Sequence, residues 1–187
     1  MRVIAGSLGG RRFKAPGGRN TRPTSDRVRE ALFAMLGPLD GEPVLDLFAG
    51  TGALGIEAIS RGAGRAVFVE RDRSAARILQ ENLTALEIPA DEAELRRGDA
   101  LAALRSAREN GEAYDLVFID PPYGQARLWG PRLSAELPAV LAPQGRIVVE
   151  SDRREPLELD APVLTERRYG DTSITIHSHP CPDPQAQ

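Results

Sequence analysis

One cysteine, one lysine, two histidines and nine aromatic residues among 187 positions leave little material for several kinds of chemistry. Cys181 stands alone in Pro180-Cys181-Pro182-Asp183-Pro184 and has no partner for an internal disulfide. His177 and His179 sit close together near the end, too few ligands with one cysteine for a zinc site, so no metal is expected. No apolar stretch approaches the roughly 20 residues of a membrane span, and Met1-Arg2-Val3-Ile4-Ala5-Gly6 lacks the apolar core of a secretory signal. No membrane association is expected, and the cytoplasm is the expected compartment.

What the chain does contain is ordinary in amount and uneven in placement. Hydrophobic content of 41% and charged content of 27% fit a globular protein with one sizeable core. The formal charge of −3 hides a division: residues 1–30 carry eight cations against Asp26 and Glu30, a net of +6, and the remaining 157 residues sum to −9. A basic arm on an acidic body suits a protein that grips a polyanion at one place. Arginine outnumbers lysine 23 to 1, so genome composition accounts for the choice of arginine. It leaves unexplained why only two acidic residues fall in the first thirty positions. The candidate nucleic-acid contacts are Arg2, Arg11, Arg12, Lys14, Arg19 and Arg22.

The arm reads as a β-hairpin, with Val3-Ile4-Ala5 and Arg12-Phe13-Lys14 around a Leu8-Gly9-Gly10 turn, followed by a Pro/Gly loop to Pro23. Thr24-Ser25 offers an N-cap for a helix over Asp26–Leu36, with Val28, Leu32, Met35 and Leu36 on one face. From Pro43 the pattern alternates. Strands are predicted at Val44–Leu47, Ala66–Glu70, Glu94–Arg97, Asp115–Ile119 and Arg146–Glu150. Helices are predicted at Ala53–Arg61, Ser74–Leu86, Leu101–Arg108 and Pro131–Leu141, the last bent at Pro138. Such alternation predicts an α/β fold with a mostly parallel sheet covered by helices on both faces. Val163–Tyr169 and Ser173–His177 around Gly170-Asp171 predict a C-terminal antiparallel hairpin. Residues 1–23 are thus expected to form the basic hairpin and loop, 24–179 the main domain, and 180–187 a disordered tail.

Gly50-Thr51-Gly52-Ala53-Leu54-Gly55 matches G-x-G-x-x-G, and Glu70 lies twenty residues after Gly50 at the next strand end. Glycines let the backbone approach a ligand, and a carboxylate at the second strand tip can accept ribose hydroxyls. Taken alone, this also fits a dinucleotide fingerprint or a simple βα turn. Two carboxylates favour S-adenosylmethionine over NAD. Asp46, before the loop, would crowd a pyrophosphate but suits ammonium and sulfonium charges. Asp99, in Arg97-Gly98-Asp99-Ala100 after the third strand, can accept from an adenine amine.

The apolar run Leu116-Val117-Phe118-Ile119 ends in Asp120-Pro121-Pro122-Tyr123. Proline donates no N–H and fixes φ, so this tip stops the sheet and leaves acceptors beside an aromatic ring. An exocyclic amine is a poor nucleophile because its lone pair is delocalised. The Asp120 carboxylate and Pro121 carbonyl can hold its hydrogens so that the lone pair turns toward a methyl donor, while Tyr123 stacks on the ring. Orientation of that kind can supply roughly 7–11 kcal/mol of catalysis in favourable cases. By itself the tetrapeptide is also compatible with a plain proline turn at a buried strand's end.

The chain resembles the bacterial 16S rRNA guanine-N2 methyltransferases acting on guanine 966. The likeness runs from Arg2 to His177. It rests on Arg2-Val3-Ile4-Ala5-Gly6 with Gly10-Arg11-Arg12, on Arg22-Pro23-Thr24-Ser25-Asp26-Arg27-Val28-Arg29-Glu30-Ala31-Leu32-Phe33, on Asp46 to Gly55, on Asp120 to Tyr123, and on Tyr169-Gly170-Asp171-Thr172. The resemblance implies a Rossmann-like class I methyltransferase fold, S-adenosylmethionine as cofactor without a metal, and 16S rRNA in a small-subunit assembly intermediate as partner. It implies cofactor binding by Asp46, Phe48, Ala49, Gly50, Gly52, Glu70 and Arg71, with Asp99 and Ala100 at the adenine. Asp120, Pro121, Pro122 and Tyr123 are the implied catalytic set. Thr24, Arg27 and Arg29 close over the cofactor's methionine end, grip RNA, or form only a capped helix with a solvated basic face. Gln125–Pro131 departs from the pattern, and Trp129 there is either a lid or, the better reading, a core anchor. The rivals are a DNA adenine-N6 methyltransferase, a protein glutamine methyltransferase, an NAD-dependent oxidoreductase and a non-catalytic RNA-binding assembly factor. Nothing in the sequence demands a dimer, so a monomer is expected.

Overall fold

The computed structural model describes residues 1–15, 25–122 and 124–180. Expectations for Arg19, Arg22, Thr24, Tyr123 and the Pro-rich tail from Cys181 lie outside the described residues. Internal packing divides the chain into two compact units, Met1–Gly98 and Asp99–Gln187.

In the first unit, α1 spans Asp26–Leu36, β1 Pro43–Asp46, α2 Ala53–Ser60, β2 Arg65–Glu70, α3 Arg73–Ala85 and β3 Ala93–Arg97. Ser25 caps α1 by accepting the Val28 N–H, and Gly37 closes it with φ 78°. The strands lie in the order β3-β2-β1, all parallel, with Asp46 opposite Phe68 and Glu70 opposite Arg97. Val44, Leu45, Ala66, Val67, Phe68 and Val69 are buried. They form the near-continuous apolar runs of a parallel sheet covered on both faces. The third glycine of the loop has a packing role: a Cβ on Gly55 would stand 2.2 Å from the Phe68 ring.

The N-terminal hairpin is reduced to one antiparallel bridge, Arg2 with Arg12, and a few backbone bonds such as Gly10 N–H to the Val3 carbonyl at 2.9 Å. Strand pairing stops there because the next donors go elsewhere. The Ile4 and Ala5 N–H groups bind the Glu57 carboxylate of α2, at 2.7 and 3.1 Å. Gly6, at φ 85°, presses against the end of that helix, where a Cβ would fall 1.7 Å from the Ser60 carbonyl oxygen. Only glycine fits there, which gives Arg2-Val3-Ile4-Ala5-Gly6 a physical reason.

The second unit holds α4 (Ala100–Glu109), β4 (Tyr114–Ile119), α5 (Ala126–Glu136), β5 (Leu141–Asp152), β6 (Val163–Tyr169) and β7 (Thr172–Ser178). β4 and β5 are parallel, and β7 runs antiparallel between β5 and β6. The last helix differs from the expected Pro131–Leu141. It starts at Ala126 with Pro131 inside it, and a 3₁₀ turn over Leu137–Ala139 follows. Burial of Trp129, Gly130 and Leu133 draws the turn before Pro131 into the helix and outweighs the backbone bond that the proline, now inside it, cannot make. Beyond Pro138 the chain goes straight into β5, pairing Leu141 with Tyr114. None of the described helices is long and apolar enough to cross a membrane.

Candidate active site

In the first unit the expected cofactor residues converge at the carboxyl ends of β1 and β2. Gly50 and Gly52 have φ of 55° and 90°, and Gly52 starts α2 in the left-handed region. A Cβ on Gly52 would meet Leu79 at 2.4 Å, whereas one on Gly50 would meet no protein atom within 4 Å. The loop is therefore packed tightly beneath and open above. Glu70 reaches it directly: one carboxylate oxygen accepts the Gly50 N–H at 2.7 Å and the other the Asp72 N–H at 2.6 Å. Ala49 is buried, with its N–H on the Val69 carbonyl at 3.0 Å, and Phe48 is half-buried.

Asp46 is buried beneath the loop and accepts the Gly55 N–H at 3.1 Å. Burial pushes its carboxyl up to about 7, the Gly55 and Phe48 N–H groups oppose that rise, and the charge of Glu70 adds to it. Two neighbouring carboxylates, one of them short of solvent, make a place that a cation would stabilise. The unfolded group ionises near 4, so the folded state holds the extra proton between about 4 and about 7. The stability that this proton brings is full below that range and is lost as pH rises through it. Asp46→Asn keeps the shape without the charge. Its melting temperature should match wild type near pH 4.5 and exceed it progressively toward pH 8. Parallel melting curves across that range would remove this reading.

Asn82 on α3 ties the loop to the arm. Its amide donates to the Thr51 and Lys14 carbonyls, at 2.9 and 3.1 Å, and its oxygen accepts the Lys14 N–H at 2.8 Å. Asn82 and Glu57 escaped sequence reading. The only signal was a lone polar residue at a buried position of an otherwise apolar helix face.

Several basic candidates have internal partners. Arg11 caps the end of α3 through the Leu86 and Ala85 carbonyls and pairs with Glu87. Arg2 pairs with Asp26, Lys14 with Glu81, and Arg12 is exposed. Arg29 does not lie on a solvated face. It is fully buried, with its guanidinium on the Arg2 carbonyl and on Asp26, because helix α1 turns that side toward the arm. Arg27 is exposed, and Arg71 borders an open hollow with Arg73, Arg97 and Gly98.

In the second unit, Asp99 caps α4, accepting the Leu101 N–H at 3.0 Å, and Ala100 is buried. Asp120, half-buried, follows β4 and lines a surface hollow with Pro121 and Pro122. The opposite wall comes from Glu150, Asp152 and Thr172. This places the Tyr169-Gly170-Asp171-Thr172 turn: β7 starts at Thr172, opposite Asp152 at the end of β5. The hollow is rich in acceptors and poor in cations, which suits a donor-bearing base edge and repels phosphate. Trp129 is a core anchor, buried and donating to Gln125 at 3.2 Å. The described residues contain no group of His, Cys, Asp and Glu that could hold a metal ion.

Fold and loop together define a Rossmann-like α/β methyltransferase of class I. A solved hypothetical protein of Thermus thermophilus shares the architecture, with a TM-score of 0.80 at 31% identity over 95% of this chain and 99% of that one. The chain belongs to the family described as Conserved hypothetical protein 95, whose model matches residues 1–178. It is 41% identical over 181 residues to YlbH of Bacillus subtilis, which carries a provisional rRNA methyltransferase name, covering 95% of this chain and 98% of that one. To Ribosomal RNA small subunit methyltransferase D of Escherichia coli K12 it is 38% identical over 154 residues, 81% of this chain and 75% of that one.

Proposed function

We propose that this protein transfers a methyl group from S-adenosylmethionine to the exocyclic N2 of a guanine in 16S rRNA, guanine 966 by resemblance, within a small-subunit assembly intermediate. The observation that carries the chemistry is the hollow beside Asp120, where carboxylates and a proline turn face the same space. Guanine presents N1–H and an N2 amine along one edge, a row of donors that such a wall complements. The small-subunit rRNA methyltransferase name of the Escherichia coli relative supports the substrate class.

The first unit has the features that the cofactor needs: an open-topped glycine loop, the Glu70 carboxylate at its edge and the buried Asp46 beneath. When bound, S-adenosylmethionine supplies a methyl group on a positively charged sulfur, and S-adenosylhomocysteine is the by-product. Glu70 is suited to the ribose hydroxyls and Asp46 to the positive charge. Asp120 and the Pro121 carbonyl hold the two hydrogens of the amine, which turns the nitrogen lone pair out of conjugation. A carboxylate has about four lone-pair sites, so Asp120 can keep an internal partner and still accept from the base.

Labelled methyl transfer to immature small-subunit particles, to protein-free 16S rRNA and to deproteinised DNA tests the reading. Incorporation into the particle at one guanine, missing from rRNA of cells without the gene, is the expected result. Labelling of DNA adenine alone would replace this proposal with the DNA reading.

A further inference from the structure

We propose that Arg71, Arg73 and Arg97 form a second grip on RNA, a surface for the phosphodiester backbone that is separate from the N-terminal arm. This inference rests on the rRNA reading above and adds a contact that the arm does not supply. Arg71 follows the last residue of β2, Arg73 opens α3 and Arg97 ends β3. Glu70 and Arg97 are paired in register, so the parallel strands deliver the three arginines to one end of the sheet. With Gly98 they surround an open hollow, and all three are exposed.

They form no ion pairs with the described residues, as is true of Arg12 and Arg27, and they differ from those two in lining one hollow together. Among the described residues of Met1–Gly98, eight other cationic side chains are held in ion pairs, from Arg2 on Asp26 to Arg96 on Glu94. Arg71, Arg73 and Arg97 form none with the described residues. The acids beside them are turned to the backbone: Glu70 holds the Gly50 and Asp72 N–H groups, and Asp72 holds those of Ser74 and Ala75. Three like charges around one hollow repel one another and favour an anion between them. Planar guanidinium forks match phosphate oxygens in pairs. A hollow so open to solvent suits a strand passing across it better than a small ion enclosed by it. The acceptor-lined hollow at Asp120 has the opposite character, so one surface suits the backbone and the other the base.

The test uses Arg73→Ala with Arg97→Ala in the full chain, leaving Arg71 in place because it belongs to the candidate cofactor set. Affinity for transcribed 16S rRNA is measured from 50 to 300 mM KCl, with S-adenosylhomocysteine and inorganic phosphate as separate ligands. Two lost phosphate contacts should make the log–log salt slope shallower by about 1–2. Affinity at low salt should fall about tenfold or more, with S-adenosylhomocysteine binding and melting temperature unchanged. RNA affinity and slope equal to wild type would overturn the site. So would a loss confined to S-adenosylhomocysteine, or to free phosphate. If wild type itself neither binds rRNA nor methylates the particle, the parent reading falls and takes this one with it. If wild type does both and the double variant binds equally well, only this surface is refuted.

Discussion

Asp120→Ala should lower the rate of methyl transfer by at least two to three orders of magnitude while leaving S-adenosylmethionine affinity within about twofold. The magnitude is that of losing one preorganised hydrogen-bond partner aimed at the reacting centre. Here the partner makes the nucleophile available, because without it the amine relaxes into conjugation with its ring. Cofactor affinity is spared because Asp120 is not among the residues expected to hold the cofactor, which are the glycine loop, Asp46, Glu70 and, at the adenine, Asp99. Single-turnover transfer of labelled methyl to immature particles, beside calorimetry with S-adenosylhomocysteine, separates the two effects. Asp120→Asn refines the result, since it keeps one acceptor and cannot take a proton. A rate near wild type for the asparagine variant assigns Asp120 to orientation alone, and a rate as low as alanine's assigns it a proton as well. An alanine variant retaining a tenth of the activity would remove Asp120 from the chemistry.

What could be read in advance followed from how local the cause was. Helix α1 was legible because Ser25 and Gly37 act on their own neighbours. The strand cores were legible because burial on both faces writes continuous runs such as Leu116 to Ile119. The glycine loop was equally readable, since Gly50 and Gly52 need their conformations whatever surrounds them. The misreadings came from partners far away in sequence. The hairpin lost its strands because Ile4 donates to a carboxylate 53 positions away. The burial of Arg29 was not legible because its partner, the Arg2 carbonyl, lies 27 positions before it. Pro131 marked a helix start until the burial of Trp129 extended the helix past it. The arginine hollow was invisible for the same reason, since two strand ends and a helix start build it.

The same reasoning predicts the second large effect, at a residue that touches neither cofactor nor base. Glu57 is fully buried in α2, the helix that begins at Gly52 of the loop. Its carboxylate accepts from Ile4, from Ala5 and, at 2.6 Å, from Arg61 Nε. Glu57→Ala strips two backbone N–H groups of their acceptor and leaves Arg61, stacked 4.9 Å over the Phe33 ring, without its counter-charge. Breaking a buried ion pair from one side costs roughly 3–5 kcal/mol, a large share of the 5–15 kcal/mol that typically holds a domain together. The melting temperature should fall by roughly 6–20 °C, and proteolysis within residues 1–15 should accelerate more than elsewhere. Glu57→Gln, which keeps an acceptor for one of the N–H groups, should fall between the two. Because the arm and the cofactor loop are both fastened to α2, the alanine variant should also bind S-adenosylhomocysteine more weakly, although Glu57 is buried within that helix and presents nothing to a ligand. A melting temperature within about 1 °C of wild type, with the arm still protected, would mean that Gly6 and Ser60 hold the arm unaided and that the carboxylate is incidental to it.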